Sequence, residues 1–165
     1  MNMLKVFLMG FAFIGLTISA KAHAVASGDC GANGNNLTWV LTCDSVLTIS
    51  GSGAMADFEE QKSPWYEYRD AVKTIVIGNE VTTIGNNAFN HCTKMTSIVI
   101  GNAVETIGEA AFFHCRSLES VIIPNTVTTI GRIAFSGCVN LAEAVVSESV
   151  TLGEAAFGGC KKLQK

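Results

Sequence analysis

From residue 71 onward the apolar positions recur in one arrangement at a fixed spacing. Val81-Thr82-Thr83-Ile84-Gly85, Val104-Glu105-Thr106-Ile107-Gly108 and Val127-Thr128-Thr129-Ile130-Gly131 follow one another every 23 residues, and Val150-Thr151-Leu152-Gly153 repeats them one residue short. Behind each glycine stand Ala88-Phe89 and Cys92, Ala111-Phe112 and Cys115, Ala134-Phe135 and Cys138, Ala156-Phe157 and Cys160. Then come Met95-x-x-Ile98-x-Ile100, Leu118-x-x-Val121-x-Ile123 and Leu141-x-x-Ala144-x-Val146, with a partial copy, Val72-x-x-Ile75-x-Ile77, ahead of them. Apolar residues two apart share one face of a strand, so the last motif predicts strands. In Glu109-Ala110-Ala111-Phe112-Phe113 the three-residue step from Phe112 to Cys115 predicts a short helical turn. One repeat is thus a strand, a turn, a second extended piece and a helical turn. No such unit buries its apolar face alone, and stacking lays Phe on Phe and Cys on Cys in a continuous core. The fold class expected is an α/β repeat. It is a solenoid of 23-residue coils with a parallel β-sheet on one face, short helical turns opposite and a β-rich N-terminal cap.

The pattern differs at the two ends. Met1-Asn2-Met3-Leu4-Lys5 carries one positive charge and precedes an apolar run from Val6 to Ile18, after which Ala22 and Ala24 offer small side chains. The run is short of the roughly 20 residues a membrane-spanning helix takes and reads as a secretory signal, residues 1–24, cleaved after Ala24. Secretion or the cell surface is the expected destination, with the periplasm as an alternative, and no membrane span is expected. At the other end Leu163 starts a new strand motif that is not completed, and Lys161, Lys162 and Lys165 surround it. An uncovered last coil leaves a strand edge open, so residues 153–165 are the expected self-association surface and the least stable part. Losing Lys5 and Lys21 moves the formal charge from −3 to about −5. An acidic chain without a basic stripe is not a nucleic-acid binder.

The side chains capable of chemistry mostly follow the repeat. Cys92, Cys115, Cys138 and Cys160 occupy one repeat position and read as a ladder of buried thiols. Cys30 and Cys43 lie outside it, in a polar stretch of a chain that leaves the reducing cytoplasm, and are expected to form a disulfide worth about 3 kcal/mol. His91 and His114 should stack one coil apart, but with no third or fourth ligand of recognisable pattern the expectation is no metal site. Gly51-Ser52-Gly53 is not a nucleophile elbow. With no phosphate loop, dinucleotide fingerprint or paired carboxylates evident, neither a catalytic residue nor a cofactor is expected. Phe58, Trp65, Tyr66 and Tyr68 read as the core of the cap, with a ligand platform as the alternative. Asn36-Leu37-Thr38 fits a glycosylation sequon.

The stretch Ile98-Val99-Ile100-Gly101-Asn102-Ala103-Val104-Glu105-Thr106-Ile107-Gly108-Glu109-Ala110-Ala111-Phe112 closely resembles the BspA-type leucine-rich repeat, and Leu118 to Gly131 matches it again. Leu47 to Met55 with Pro64-Trp65-Tyr66 looks like the cap ahead of such repeats. The division expected is therefore a signal peptide at 1–24, a cap at 25–70 and repeats at 71–165. The resemblance implies an extracellular or surface-exposed protein that binds other proteins or adheres, without catalysis. An extracellular protein or glycan is the partner expected, and a self-assembling solenoid with no foreign ligand is the alternative. Val76, Val99, Ile122 and Val145, the outward residues between the inward pairs of each strand, should align as an apolar stripe rimmed by Lys73, Glu119 and Glu143. The family commonly has Thr at the stripe position. A contiguous apolar patch with a polar rim marks an interaction site, while β-propensity alone also favours branched residues there.

Overall fold

The computed structural model describes residues 23–164, so the expected signal segment at 1–24 lies outside the described residues but for His23 and Ala24. Strands β1 (Ala24–Gly31), β2 (Gly34–Thr42) and β3 (Val46–Gly51) make an antiparallel meander, and β4 (Gly53–Ala54) follows. Each later coil carries two short strands: β5 (Thr74–Ile77) with β6 (Val81–Ile84), β7 (Ser97–Val99) with β8 (Thr106–Ile107), β9 (Ser120–Ile122) with β10 (Thr129–Ile130), and β11 (Glu143–Val145) with β12 (Thr151–Leu152). One sheet runs β1-β2-β3-β5-β7, a second runs β4-β6-β8-β10-β12, and β9 pairs with β11. From β3 to β5 and onward every pairing within the repeats is parallel, with Ile75 opposite Ile98, Val121 opposite Ala144 and Ile84 opposite Ile107. The first sheet stops at β7. Pro124, just past β9, has no N–H, and neither it nor Gly101 repeats the bond that Gly78 N–H gives to the Ile49 carbonyl.

The core follows the repeat. Phe89, Phe112 and Phe135 are fully buried and stack with ring centroids 5.4 and 5.0 Å apart, and Phe157 continues the column at 5.1 Å from Phe135. Trp65 heads it, 5.1 Å from Phe89, and its indole N–H donates to the Ala88 carbonyl. It also meets Trp39 and Phe58 edge-on. Trp65 therefore belongs to the core, while Tyr66 lies under the Arg69 guanidinium and Tyr68 is exposed.

The turns correct one expectation, for the segments after Gly85, Gly108, Gly131 and Gly153 are not helical. The single helical element among the described residues is a 3-10 turn at Tyr66–Tyr68. A helix sends each N–H four residues back along its own chain. Here alternate N–H groups leave the coil: Asn87, Phe89 and His91 donate to the carbonyls of Glu109, Ala111 and Phe113, and Ala110, Phe112 and His114 donate to Arg132, Ala134 and Ser136. The intervening groups close three-residue turns, as in Ala88 N–H to Gly85 and Cys92 N–H to Phe89. This alternation needs left-handed backbone twice per coil, at Asn87 and His91, Ala110 and His114, Ile133 and Gly137, Ala155 and Gly159. The corner glycine before each turn is required for proximity instead: a Cβ on Gly131 would lie 2.6 Å from the Glu109 nitrogen.

The expected disulfide is also corrected. Cys30 and Cys43 are both free, the first buried and the second exposed. Their strands pair antiparallel, with Ala24 opposite Thr42 and Gly31 opposite Gly34, so Cys30 sits at the turn of the hairpin and Cys43 at its open end, where its N–H meets the His23 carbonyl. Seven residues of strand separate the two ends, about 20 Å, against the 7 Å or so that a disulfide spans between Cα atoms.

Because the Phe column passes through every coil, Phe112→Ala opens a cavity in the middle of the stack. It should cost about 3–5 kcal/mol in denaturant titration; a loss below about 1 kcal/mol would show that the rings do not support one another.

Candidate interaction face and surrounding side chains

Strands β5, β7, β9 and β11 turn Ile75, Ile77, Ile100, Val121, Ile123 and Val146 inward, where they are buried. The residues between them are left on the outer face. Val76 lies opposite Val99 and Ile122 opposite Val145, so the stripe forms as two paired halves on either side of the break after β7. Val99 is 49 % and Ile122 61 % exposed, while Val76 and Val145 are half-buried. Of the expected rim, Lys73, Glu119 and Glu143 are all exposed. Lys73 and Glu119 stand at strand starts, where their carbonyls accept from the N–H groups of Thr96 and Ala142 one coil on. Glu143 lies on β11, opposite Ser120. Thr74 and Ser97 form the neighbouring paired row, so the stripe is bordered by small hydroxyl residues on that side.

On the other side is a feature the sequence reading passed over. A cleft of about 460 Å³ opens beside the stripe, lined by Asn102, Ile122, Ile123, Pro124, Asn125, Thr126 and Val145. Asn79, Asn102 and Asn125 recur every 23 residues, a signal available from the start, and the Asn79 side chain accepts the Asn102 N–H. Asn125 and Thr126 are exposed, and they border the Ile122 end of the stripe with amide and hydroxyl groups. No aromatic residue stands on the outer face of β5, β7, β9 or β11.

Elsewhere the chemistry-bearing residues are engaged in structure. The Asn36 side chain accepts the Asn33 N–H and donates to the carbonyls of Ser52 and Ala54, so its amide is occupied in holding the hairpin turn. His91 and His114 stack as expected, with centroids 5.3 Å apart. The thiols of Cys115, Cys138 and Cys160 donate to the carbonyls of Phe89, Phe112 and Phe135. Burial pushes the Cys92 thiol up to about 12, and burial with the nearby Asp29 carboxylate does the same for Cys30. Burial also raises Cys115. A thiol held protonated in this way is a poor nucleophile at neutral pH.

The family model described as the BspA type leucine-rich repeat region matches residues 62–165, in six copies. Among solved structures the chain is similar to a leucine-rich repeat protein from Eubacterium ventriosum, at 27 % identity and a TM-score of 0.64, over 85 % of this chain and 43 % of that one. It shares the fold of a T. pallidum leucine-rich repeat protein (24 % identity, TM-score 0.59, 82 % and 69 %) and of one from Bacteroides ovatus (24 %, 0.60, 73 % and 36 %). The chain therefore spans less than half the length of the Eubacterium ventriosum protein. No curated protein matches it.

The thiols give a prediction with a defined sign. Folded pKa values raised above the unfolded ones mean that the folded state holds more protons at alkaline pH, so this stability is complete below about pH 8.5 and is lost as pH rises toward the folded values near 12. Native protein at about pH 8 should react with a thiol reagent at Cys43 and spare Cys30, Cys92 and Cys115 until denaturant is added. Labelling of Cys92 as fast as Cys43 in the native state would contradict the buried ladder.

Proposed function

Because the chain belongs to the BspA-type leucine-rich repeat family, we propose that it is a non-catalytic binding module, exported to the cell surface or beyond, that holds another protein against its strand face. The observation that carries this is the pair Val99 and Ile122, large apolar side chains left 49 % and 61 % exposed at the centre of a face whose other outward residues are the small Thr74, Ser97 and Ser120 and, on the last strand, Glu143. In water a flat apolar stripe is stabilised by being covered, and stacked coils hold it rigid, so little ordering entropy is lost on binding. The leader pattern in residues 1–24 supports export, and residues 25–70 are read as the cap on which the repeats from 71 onward stack.

The partner class follows from what the face lacks. Sugar rings are recognised largely by stacking their C–H faces on aromatic side chains, and this face has none. An apolar stripe bordered by Ser97, Asn102, Asn125 and Thr126 suits a protein surface with its own apolar centre and polar edge. The double substitution Val99→Thr and Ile122→Thr keeps the β-branched shape needed in a strand while making the face polar. Against a panel of purified extracellular proteins and glycans, it should weaken binding of a protein ligand at least tenfold with the unfolding midpoint unchanged. Undiminished affinity would remove this face, and a glycan hit insensitive to the substitutions would replace the reading.

A further inference from the structure

His91 and His114 hold one turn position in successive coils, both on left-handed backbone, with ring centroids 5.3 Å apart and planes tilted by 30°. Phe113 meets both rings edge-on, 5.6 Å from His91 and 4.0 Å from His114. The Nδ1 atom of each ring is buried and has no hydrogen-bond partner. That of His114 is packed toward Gly137, where a Cβ would fall 2.7 Å from it. The next two coils place Gly137 and Gly159 at this position, again on left-handed backbone, so the turn itself has no need of an imidazole. Asn90, the residue before His91, is 2 % exposed with both amide atoms unpartnered, where later coils have Phe113, Ser136 and Gly158.

A neutral imidazole carries one proton and an imidazolium two. In the neutral rings that proton resides on Nε2, which is not enclosed in this way, and each Nδ1 stays bare. Acid must add the second proton at Nδ1, where it becomes a buried donor without an acceptor, while the two rings acquire like charges at stacking distance. The surroundings do not offset this. Burial first, then His91 and Arg116, hold the His114 pKa below its ordinary value. On the cap, Asp70 is engaged by the Arg69 guanidinium and the Thr93 hydroxyl, and Glu67 is exposed. Glu109 pairs with Arg132, Lys94 is an exposed cation, and the thiols of Cys92 and Cys115 are held protonated. The turn after Gly131 brings Ser136 and Gly137 against His114, and neither of them titrates.

We infer that the stacked His91–His114 pair is an acid-sensitive joint in the solenoid: neutral rings let the turns after Gly85, Gly108 and Gly131 lie together, and protonation parts them locally. The backbone bonds most directly affected are those the histidines make themselves, His91 N–H to the Phe113 carbonyl and His114 N–H to the Ser136 carbonyl. The folded pKa of His114 lies below the unfolded one, so an opened turn holds more protons in acid than a closed one. The stability this contributes is therefore complete above about pH 6.5 and is lost as pH falls from there toward the folded value. Spacing along the sequence places the two rings together, but it shows neither the enclosed nitrogens nor the absence of a carboxylate to receive their protons. The joint is independent of the strand face and of any partner bound there.

Amide hydrogen exchange at about pH 7.5 and about pH 5.5, a range in which carboxylates stay ionised, tests the joint once the intrinsic pH dependence of exchange is divided out. Protection at the His91, Phe112 and His114 amides should fall about fivefold at the acid pH. The Gly108 and Gly131 amides, which donate to Ile84 and Ile107 in the second row of strands, should fall less. The double substitution His91→Gly and His114→Gly installs what the repeat carries at Gly137 and Gly159 on the same left-handed backbone, and it should make protection equal at the two pH values. His91→Asn with His114→Asn keeps a polar, non-titrating side chain tolerated on that backbone and should behave alike. His23→Gln, which replaces the third histidine, should leave the dependence intact. Equal protection at both pH values in the unsubstituted chain, a fall of the same size at Gly108 and Gly131, a fall that persists in both double variants, or its loss on His23→Gln would each overturn the inference.

Discussion

The alternation of backbone N–H groups in the turns, one kept in its own coil and the next given to the following coil, is the constraint from which the rest of the architecture follows. Three such bonds join each turn to its neighbour, and in a buried segment each unmade one would cost about 1–3 kcal/mol. They fix the distance between coils. That distance lets Phe89, Phe112 and Phe135 stack near van der Waals contact and keeps the two rows of short strands in register. It also brings the backbone of one coil so close to the corner of the next that Gly85, Gly108, Gly131 and Gly153 have no room for a side chain. Left-handed backbone twice per coil is the cost of this arrangement, accepted even at the β-branched Ile133.

What the sequence reveals is whatever repeats and faces inward. The 23-residue period locates the strands, the Phe column and the thiol ladder, since apolar side chains must coincide wherever coils coincide. The turn conformation is hidden by an ambiguity of spacing: Phe112 and Cys115, three apart, share a face equally well in a helix and in two successive three-residue turns. Only the destination of the N–H groups distinguishes them, and that is a property of the neighbouring coil. Cys30 and Cys43 fail for a related reason. A polar, glycine-containing segment between two cysteines looks like a loop to be closed, whereas Leu37, Trp39 and Leu41 alternate as a strand and carry the second cysteine away from the first.

The candidate site divides along the same line. Val76, Val99, Ile122 and Val145 are legible because they hold a repeat position, and their exposure follows from strand alternation. The cleft beside them is lined by Pro124, which stands where earlier coils have Gly78 and Gly101, and it becomes visible only with the strand ends in place. The pairing of β9 with β11 apart from β7 is likewise a feature that the repeat pattern does not announce.

Departures from the repeat on its outer side cost little in folding, and it is there that specificity has room to reside. Inward positions are held to Phe, Ile, Leu, Cys or small residues by packing, and corner positions to glycine by proximity. Asn90 is the exception, because it is a buried position where other coils place Phe113, Ser136 or Gly158. A buried amide without partners opposes folding, so its presence is not explained by the stack, and neither are two adjacent histidines at a position that glycine fills in the next two coils. On the strand face the anomaly has the opposite sense, branched apolar side chains on a surface that water covers. Both departures work against the stability of the isolated coil stack, so neither is explained by the packing that fixes the rest of the repeat.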